Sequence, residues 1–320
     1  MVQGEFSLIE KYFSNPAQCR NSKHTVLGIG DDAAVISIPE GKQLVVTMDT
    51  LIADRHFPAV SYPADIAYKS LAVNVSDLAA MAATPAFFLL SLTLPEADEV
   101  FLNGFSKGLF SAADEFAISL VGGDTCKGPL SISIQASGFV AADRFVRRSG
   151  ANIGDKIVVS GRLGAAALGL ASMQKKVKLS VNQQHDCLSA LNRPRPRLDL
   201  IDLLQKYASS AIDLSDGLVG DLGHILKQSS VGAVIDREKI PAYEGLYEHN
   251  MFDLCLTGGD DYQILFTVAD KNLDFLLNSA QQAKLDLYVI GEIVEQGYFM
   301  NDHNQSIDLA KFRGFDHFAS

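Results

Sequence analysis

Short apolar runs that end on aspartate-bearing turns recur five times and constrain the fold of this chain more than any other feature. Each run is typical of a buried strand, and four of the five have glycine or a second carboxylate close to the aspartate. The runs with their turns are 26–32, 45–50, 119–125, 211–217 and 254–261. An aspartate at a strand end, with glycine beside it, lets charge and backbone approach a ligand closely. Five such turns predict one site rich in carboxylate oxygens, which hard divalent cations require. They favour a magnesium-dependent phosphate enzyme over a protein-binding module.

The order of elements predicts a mixed α/β (α+β) fold in two domains. At 320 residues the chain is longer than one hydrophobic core usually supports. Apolar periodicity predicts helices over 64–83, 98–117 and 165–174, and strands over 86–94, 119–122, 130–140 and 156–160. A turn at 152–155 and the strand–glycine–helix restart after it place the boundary near residue 150. We therefore predict domains 1–149 and 150–320, the second being the larger.

Composition excludes several classes of protein. The net charge of -11 disfavours a broad nucleic-acid or anionic-membrane surface, although metal ions can still recruit phosphate ligands. No stretch of about 18 uncharged apolar residues is present, and the N-terminus lacks a signal-peptide core. Four cysteines without CxxC spacing are expected to be free thiols in a reducing compartment. A cytoplasmic location without nucleic-acid or membrane partners is expected.

Common catalytic motifs are absent from the sequence. There is no GxxxxGK[ST] loop, no HExxH and no GxSxG. Gly161-x-x-Gly164 has the wrong spacing for a dinucleotide fingerprint and is typical of an ordinary strand-to-helix turn. The aspartate-bearing turns are therefore the main indication of the chemistry of this chain.

Each carboxylate of the first half has a functional and a structural interpretation. Asp31 and Asp32 are adjacent and would repel each other unless solvated or neutralised by a cation, although a helix N-cap is equally consistent. Asp49 is either a ligand or a turn aspartate. Asp77 interrupts an apolar helix and needs a partner, for which a metal ion is the economical choice; a surface-facing side chain is the alternative.

Other polar residues fit phosphate chemistry. Gly123 and Asp124 present backbone amides beside a carboxylate, and the arginine cluster that includes Arg148 could grip phosphate oxygens. Asp213 and Asp216 stand at i and i+3, which would share a face of a starting helix. His56, near Asp49 in the sequence, is either a substrate contact or a structural or merely exposed histidine.

Eight segments together resemble the bacterial thiamine-monophosphate kinase family, nearly end to end and in the family's order. They are 4–9, 28–32, 49–51, 74–81, 122–125, 148–151, 213–218 and 258–262. The resemblance implies the two-domain fold of the aminoimidazole-ribonucleotide synthetase superfamily and a homodimer formed through the first domain. It also implies ATP-dependent conversion of thiamine monophosphate to thiamine diphosphate with several Mg²⁺ ions.

The resemblance also implies roles for individual residues. Positions matching magnesium ligands are Asp32, Thr47, Met48, Asp49, Asp77, Asp124, Asp213 and Asp216. Nucleotide contacts match Gly123, Asp124, Arg148 and Ser215, and thiamine-phosphate contacts match His56, Asp260 and Phe315. Asp260 stands where glutamate is usual, and Met48 where a small polar residue is common, so only the Met48 carbonyl could serve a cation. The first-domain aspartates and the 213–216 turn are expected to close on the same metal-bound phosphates.

The predicted reaction is a direct in-line transfer of the γ-phosphoryl group to the acceptor phosphate. No residue is predicted to act as a covalent nucleophile or general base, because the acceptor phosphate is already largely ionised near neutral pH (second pKa about 6). Two alternatives stay open at this point. The chain could be another ATP-dependent synthetase of the superfamily, or a catalytically silent protein that binds nucleotide and metal.

Overall fold

The first half of the chain folds into a four-stranded sheet with two long helices. In the computed structural model, which describes residues 5–14, 23–303 and 305–312, its elements follow one another in a simple order. They are α1 (Glu5–Tyr12), β1 (Thr25–Leu27), β2 (Val35–Ile36), β3 (Lys42–Ile52), α2 (Pro63–Ala80), β4 (Thr84–Leu94), α3 (Glu99–Glu115), β5 (Ser119–Lys127) and β6 (Ser131–Ala141). The sheet order is β3-β6-β4-β5, so β3 and β5 form its edges. Only β4 and β5 are parallel, and α3 connects them.

Strand alternation gives this sheet two different faces. Asp49 is opposite Ile134 of β6, which in turn is opposite Leu90 of β4, and both apolar residues are buried. We call this the inner face. The next row, through Thr50, carries the small polar residues of the outer face. Because successive side chains of a strand alternate, every second residue of β3 is directed away from the buried side.

The second half of the chain builds a seven-stranded sheet. Its elements are β7 (Lys156–Val159), α4 (Ala165–Met173), α5 (Val181–Asn192), α6 (Ile201–Tyr207), β8 (Ala208–Asp213), α7 (Leu218–Ser229), β9 (Gly232–Asp236), α8 (Glu244–Glu248), α9 (Leu254–Thr257), β10 (Ile264–Val268), α10 (Leu273–Gln282), β11 (Tyr288–Val294), β12 (Tyr298–Asp302) and β13 (Gln305–Asp308). The strand order is β13-β12-β9-β11-β7-β10-β8. Only β12 and β9 are parallel.

The chain divides into two units. Unit 1 contains Met1–Leu78 and Ala83–Asp143, and unit 2 contains Ala79–Ala82 and Arg144–Ser320. The mixed α/β fold predicted from the sequence is confirmed. The boundary at residue 150, and the roles assigned to 1–149 and 150–320, stay predictions.

Three of the predicted strand-end turns differ in the structure. Asp49 lies inside β3, and Asp124 lies inside β5, which continues to Lys127. Asp260 follows the short helix α9, not a strand. Asp213 does end a strand, but Asp216 lies in the loop before α7, so the two do not share a helix face as predicted.

Two general expectations can be compared with the described residues. Cys126, Cys187 and Cys255 are free thiols, as predicted, and Cys19 lies outside the described part of the chain. In the ranges that the structure describes, no helix combines the length and the apolar character needed to cross a bilayer.

Helices α2 and α3 approach each other closely at a glycine. A Cβ atom on Gly108 of α3 would overlap the backbone of Ala64 near the start of α2. Glycine costs a helix about 0.5–1 kcal/mol relative to alanine, so its presence at Gly108 is explained by this backbone contact. Gly223 of α7 provides a contrast, because the nearest atom to its added Cβ, on Tyr298, is 4.0 Å away.

We expect Gly108→Ala to lower the free energy of unfolding by about 1–3 kcal/mol, because the added methyl group forces the two helices apart. Gly223→Ala is the matched control and should leave stability unchanged or raise it by up to about 1 kcal/mol through helix propensity. Urea unfolding followed by circular dichroism measures both values. Equal stability of Gly108→Ala and the unsubstituted protein would contradict the proposed close contact.

Candidate functional site

The inner face of β3 and one face of α2 meet through polar side chains. Thr47 Oγ1 donates to Asp77 Oδ2 over 2.5 Å, and the Asp49 backbone N–H donates to Asn74 Oδ1 over 3.0 Å. Thr47 and Asp49 share a strand face, and Asn74 and Asp77 are one helical turn apart. The two elements therefore present the Asp49 and Asp77 carboxylates in the same region of unit 1. Asp77 is half-buried, which excludes the surface-facing alternative.

Asn74 fixes this arrangement and was not predicted as a functional residue. Its side chain is completely buried, and its Nδ2 donates to the Ser70 carbonyl over 3.0 Å. A buried amide must satisfy its donors and acceptors locally, and Asn74 does so by joining the helix backbone to β3. The signal in the sequence was a second polar residue three positions before Asp77.

Met48 is the residue of β3 between Thr47 and Asp49, and its side chain lies on the outer face. It is 62% exposed and pairs across the strands with Gln135. Only its main-chain carbonyl can therefore contribute to a cation site near its two neighbours, which agrees with the interpretation from the sequence.

Gly123 and Asp124 lie on β5, at the opposite edge of the same sheet. Gly123 has φ +155°, and a Cβ there would overlap the carbonyl oxygen of Leu90, so only glycine fits this position. Asp124 is in register with Ser91, Ser133 and Thr50, which places it on the outer face, and it is exposed.

The structure does not bring Asp124 together with Asp49 and Asp77 in one chain. Three strand spacings separate β5 from β3, about 14 Å along the sheet, and Asp49 and Asp124 occupy opposite faces. The prediction that these three carboxylates form one cluster is therefore not met within a single copy of unit 1.

Asp31 and Asp32 lie in the exposed loop after β1. Gly30 has φ +116°, and the Asp32 backbone N–H is bonded to Asp31 Oδ1 over 2.9 Å. The Asp31 side chain thus stabilises the turn, while Asp32 is presented to solvent. The helix N-cap interpretation of this pair is wrong, because no helix follows the loop.

His56 lies in the loop after β3 with a defined orientation. The Ile52 backbone N–H donates to His56 Nδ1 over 3.0 Å. Because Nδ1 accepts this bond, the ring proton is on Nε2. His56 is therefore held as a half-buried donor, which suits contact with a phosphate or another acceptor group.

In unit 2, the end of β8 and the loop from Leu214 to Gly217 together carry three of the predicted residues. Asp213, at the end of β8, is 3% exposed, while Ser215 and Asp216 are half-buried. The Asp216 backbone N–H donates to Asp221 Oδ2 over 3.0 Å. Burial raises the pKa of Asp221 to about 7, and the backbone bonds that it accepts oppose this rise.

A second loop of unit 2, residues 258–262, pairs with the first through main-chain hydrogen bonds. The Asp260 N–H donates to the Ser215 carbonyl over 2.9 Å, and the Tyr262 N–H donates to the Leu214 carbonyl over 2.8 Å. Tyr262 also donates its hydroxyl to Asp260 Oδ1 over 3.2 Å. Asp260 and Tyr262 both have positive φ, of 70° and 49°. The backbone thus holds the predicted substrate residue Asp260 beside the predicted nucleotide residue Ser215.

Asp261 attaches this second loop to a helix. Both of its carboxylate oxygens accept the Gly164 backbone N–H, at 2.9 and 2.8 Å, at the start of α4. The helix has no side-chain cap of its own there, and a carboxylate at a helix N-terminus is stabilising. Burial raises the pKa of Asp261 to about 8. The sequence marked this residue only as part of a Gly-Gly-Asp-Asp motif.

The structure gives fewer contacts for the remaining predicted residues. Arg148 is exposed, at the start of unit 2, and its carbonyl lies 3.5 Å from Ser229 Oγ. Phe315 lies outside the described residues. Across the described ranges, no group of three or more histidine, cysteine, aspartate or glutamate side chains forms a ready metal site. Asp49 and Asp77, on two elements that are joined by hydrogen bonds, nevertheless offer hard oxygen ligands of the kind that Mg²⁺ prefers.

Comparison with known proteins gives a consistent assignment. Residues 30–140 match the family model of the AIR synthase related protein N-terminal domain, and residues 152–301 match that of its C-terminal domain. The thiamine-monophosphate kinase of Escherichia coli is 43% identical, with all of both chains covered.

Solved structures agree with this result. The crystal structure of thiamine-monophosphate kinase from Stenotrophomonas maltophilia is 41% identical, with a TM-score of 0.85 over 94% of this chain and 98% of that one. The structure of AaThiL complexed with AMPPCP and TMP is 32% identical, with a TM-score of 0.78 over 98% and 97% of the two chains. The chain belongs to the thiamine-monophosphate kinase family of AIR synthase related proteins.

Proposed function

We propose that this protein transfers the γ-phosphoryl group of ATP to thiamine monophosphate, giving thiamine diphosphate and ADP. The observation that carries the proposal is the polar contact of β3 with α2, which presents Asp49 and Asp77 together on two regular elements. Full-length similarity to thiamine-monophosphate kinases supports the choice of substrates, as does the AaThiL complex with AMPPCP and TMP. The cytoplasmic location predicted from the sequence belongs to the same proposal.

Positioning and charge neutralisation do most of the work in phosphoryl transfer. Bound Mg²⁺ would supply neutralisation of the phosphate charge. We assign Asp32, the Met48 carbonyl, Asp49, Asp77, Asp213 and Asp216 to hold these ions, with Thr47 orienting Asp77. Ser215 and Arg148 are assigned to ATP, and His56, Asp260 and Phe315 to the acceptor. His56 can donate from Nε2 to an acceptor phosphate without first gaining a proton.

The direct mechanism predicts that no phosphorylated enzyme forms. Incubation with ATP, Mg²⁺ and thiamine monophosphate should give equal amounts of ADP and thiamine diphosphate. With radiolabelled ATP alone, the protein should stay unlabelled after acid quenching and chromatography. A labelled protein that passes its phosphoryl group to thiamine monophosphate would rule out direct transfer. The absence of any turnover at saturating Mg²⁺ would favour a silent nucleotide-binding protein instead.

A second prediction concerns the contact between β3 and α2. Asp77→Asn should lower kcat by at least about 100-fold and raise the Mg²⁺ concentration needed for half-maximal rate, because a metal ligand loses its charge. Thr47→Val, which removes only the hydroxyl that orients Asp77, should lower kcat by about 10-fold. Steady-state rates over a Mg²⁺ titration measure both effects.

Asp114→Asn, on the exposed surface of α3, is the matched control in the same unit and should leave both quantities unchanged. If Asp77→Asn kept the Mg²⁺ dependence of the unsubstituted protein, the assignment of Asp77 to a metal ion would fail.

The outer face of β3 supports the predicted homodimer. Its residues alternate outward along an edge strand, and four large apolar side chains are 40–62% exposed: Leu44, Val46, Met48 and Ile52. An exposed apolar row on a long edge strand invites association and is normally covered. We propose that a second copy of the chain covers this face.

The same homodimer accounts for the position of Asp124. This carboxylate lies on the outer face, at the far edge from Asp49 and Asp77, and so cannot join them within one sheet. Because β3 is an edge strand, a partner packed against the outer face at this edge would bring its own β5 beside the edge that carries Asp49 on its inner face. We therefore propose that the partner's Gly123 and Asp124 complete the nucleotide and metal site.

Mixed dimers test this arrangement directly. Asp77→Asn and Asp124→Asn should each be inactive alone, but unfolding and refolding them together should restore about a quarter of full activity. Half of the dimers are then mixed, and one of their two sites has no substitution. Mixing Asp77→Asn with Asp49→Asn is the control and should restore nothing, because both residues come from the same copy. Light scattering verifies that all variants are dimers. Failure of the first pair to recover activity would show that Asp124 acts within its own chain.

A further inference from the structure

Asp221 is a buried carboxylate with no direct part in the proposed reaction. It lies in the first turn of α7 and is 2% exposed. Its Oδ2 accepts the Asp216 backbone N–H over 3.0 Å, and its carboxylate also accepts the backbone N–H of Ser215. An ionisable side chain is rarely buried this completely without a structural or functional reason.

Helix α7 follows the loop that Asp221 holds, and its N-cap residue makes no side-chain hydrogen bond. The N-cap position of α7 is Gly217, which has no side chain to accept the free amides there. Gly217 has φ +106°, and a Cβ on it would press against the backbone of Thr257 and Gly258. Close packing thus requires glycine at this position. The backbone amides of Ser215 and Asp216, which precede the helix, are satisfied by Asp221.

The two backbone amides that donate to Asp221 belong to Ser215, which is assigned to ATP, and to Asp216, which is assigned to Mg²⁺. The direction of the Ser215 and Asp216 side chains depends on their backbone, which these hydrogen bonds fix. Arg148, also assigned to ATP, lies close enough to interact electrostatically with Asp221. One buried carboxylate therefore accepts hydrogen bonds from two proposed nucleotide-site residues and interacts electrostatically with a third.

We propose that Asp221 is a positioning residue for the nucleotide: it holds the 214–217 loop in the conformation that binds MgATP. This inference rests on the proposed function of the same site. Second-layer hydrogen bonds of this kind typically contribute about 10- to 100-fold to metal affinity or activity.

Two substitutions separate the hydrogen bonds from the fold. Asp221→Leu keeps the number and branching of the side-chain heavy atoms but removes both acceptors. It should raise the KM for MgATP by about 10-fold or more, with the KM for thiamine monophosphate within about 2-fold. Asp221→Asn retains one carbonyl oxygen as acceptor and should recover part of this loss. Calorimetric titration with MgATP alone should show the same order of affinities.

Asp155→Asn is the matched control. Asp155 is also buried in unit 2, where it accepts from the Asn152 backbone over 2.9 Å and from the Ser209 hydroxyl over 2.6 Å, and it holds a turn with no assigned site residue. The Asp155→Asn substitution should lower the Tm without changing the KM for MgATP or the KM for thiamine monophosphate.

The possible outcomes are distinct. If Asp221→Leu is folded and binds MgATP as the unsubstituted protein does, Asp221 has no positioning role. Equal rises in both KM values, in step with a fall in Tm, would also overturn the proposal. If the leucine variant does not fold, the asparagine variant decides by the same two criteria. Should the unsubstituted protein bind MgATP but form no thiamine diphosphate, the proposed function fails, while the titrations still test Asp221.

Discussion

The polar centre of unit 1 depends on the hydrogen bonds that join β3 to α2. A completely buried Asn74 accepts the Asp49 amide, and Thr47 donates to Asp77 one helical turn further on. Leaving such buried groups unpaired would cost about 1–3 kcal/mol each, so the strand and the helix stabilise each other only in this register. A slip of β3 by one residue would move Thr47 and Asp49 to the outer face. The contact that maintains the fold thus also places the carboxylates.

Unit 2 uses a different device for the same purpose. Its loops 214–217 and 258–262 are short, irregular and rich in unusual backbone conformations, such as the positive φ of Asp260 and Gly217. They are paired with each other through main-chain hydrogen bonds and attached to helices by Asp221 and Asp261. Rigid support for irregular loops is a general requirement of binding sites. Asp221 and Asp261 provide such support for these two loops.

The sequence predicted the regular elements with apolar periodicity, because α2, α3 and β4 carry their core residues at helical or strand spacing. It did not predict that β5 continues through Gly123 and Asp124, residues that disfavour strands locally. The extension is set by pairing with β4, where only glycine fits beside Leu90, and such long-range contacts leave little local signal. The apolar run before Asp260 is predicted as a strand but forms the helix α9, since short apolar runs do not distinguish strands from helices. Asp32, Asp77 and Asp213 could be chosen as candidates from their neighbours, but the supporting roles of Asn74 and Asp221 depend on partners distant in the chain or on loop geometry.

The outward position of Asp124 has a consequence for how such a protein behaves at different concentrations. Under the proposed pairing, a single folded copy carries every required residue and still lacks a working site. Activity would then follow mass action between copies and fall faster than linearly on dilution below the dissociation constant. A newly synthesised chain would gain activity only when it dimerises. The concentration of the protein would therefore set the fraction of chains that is active.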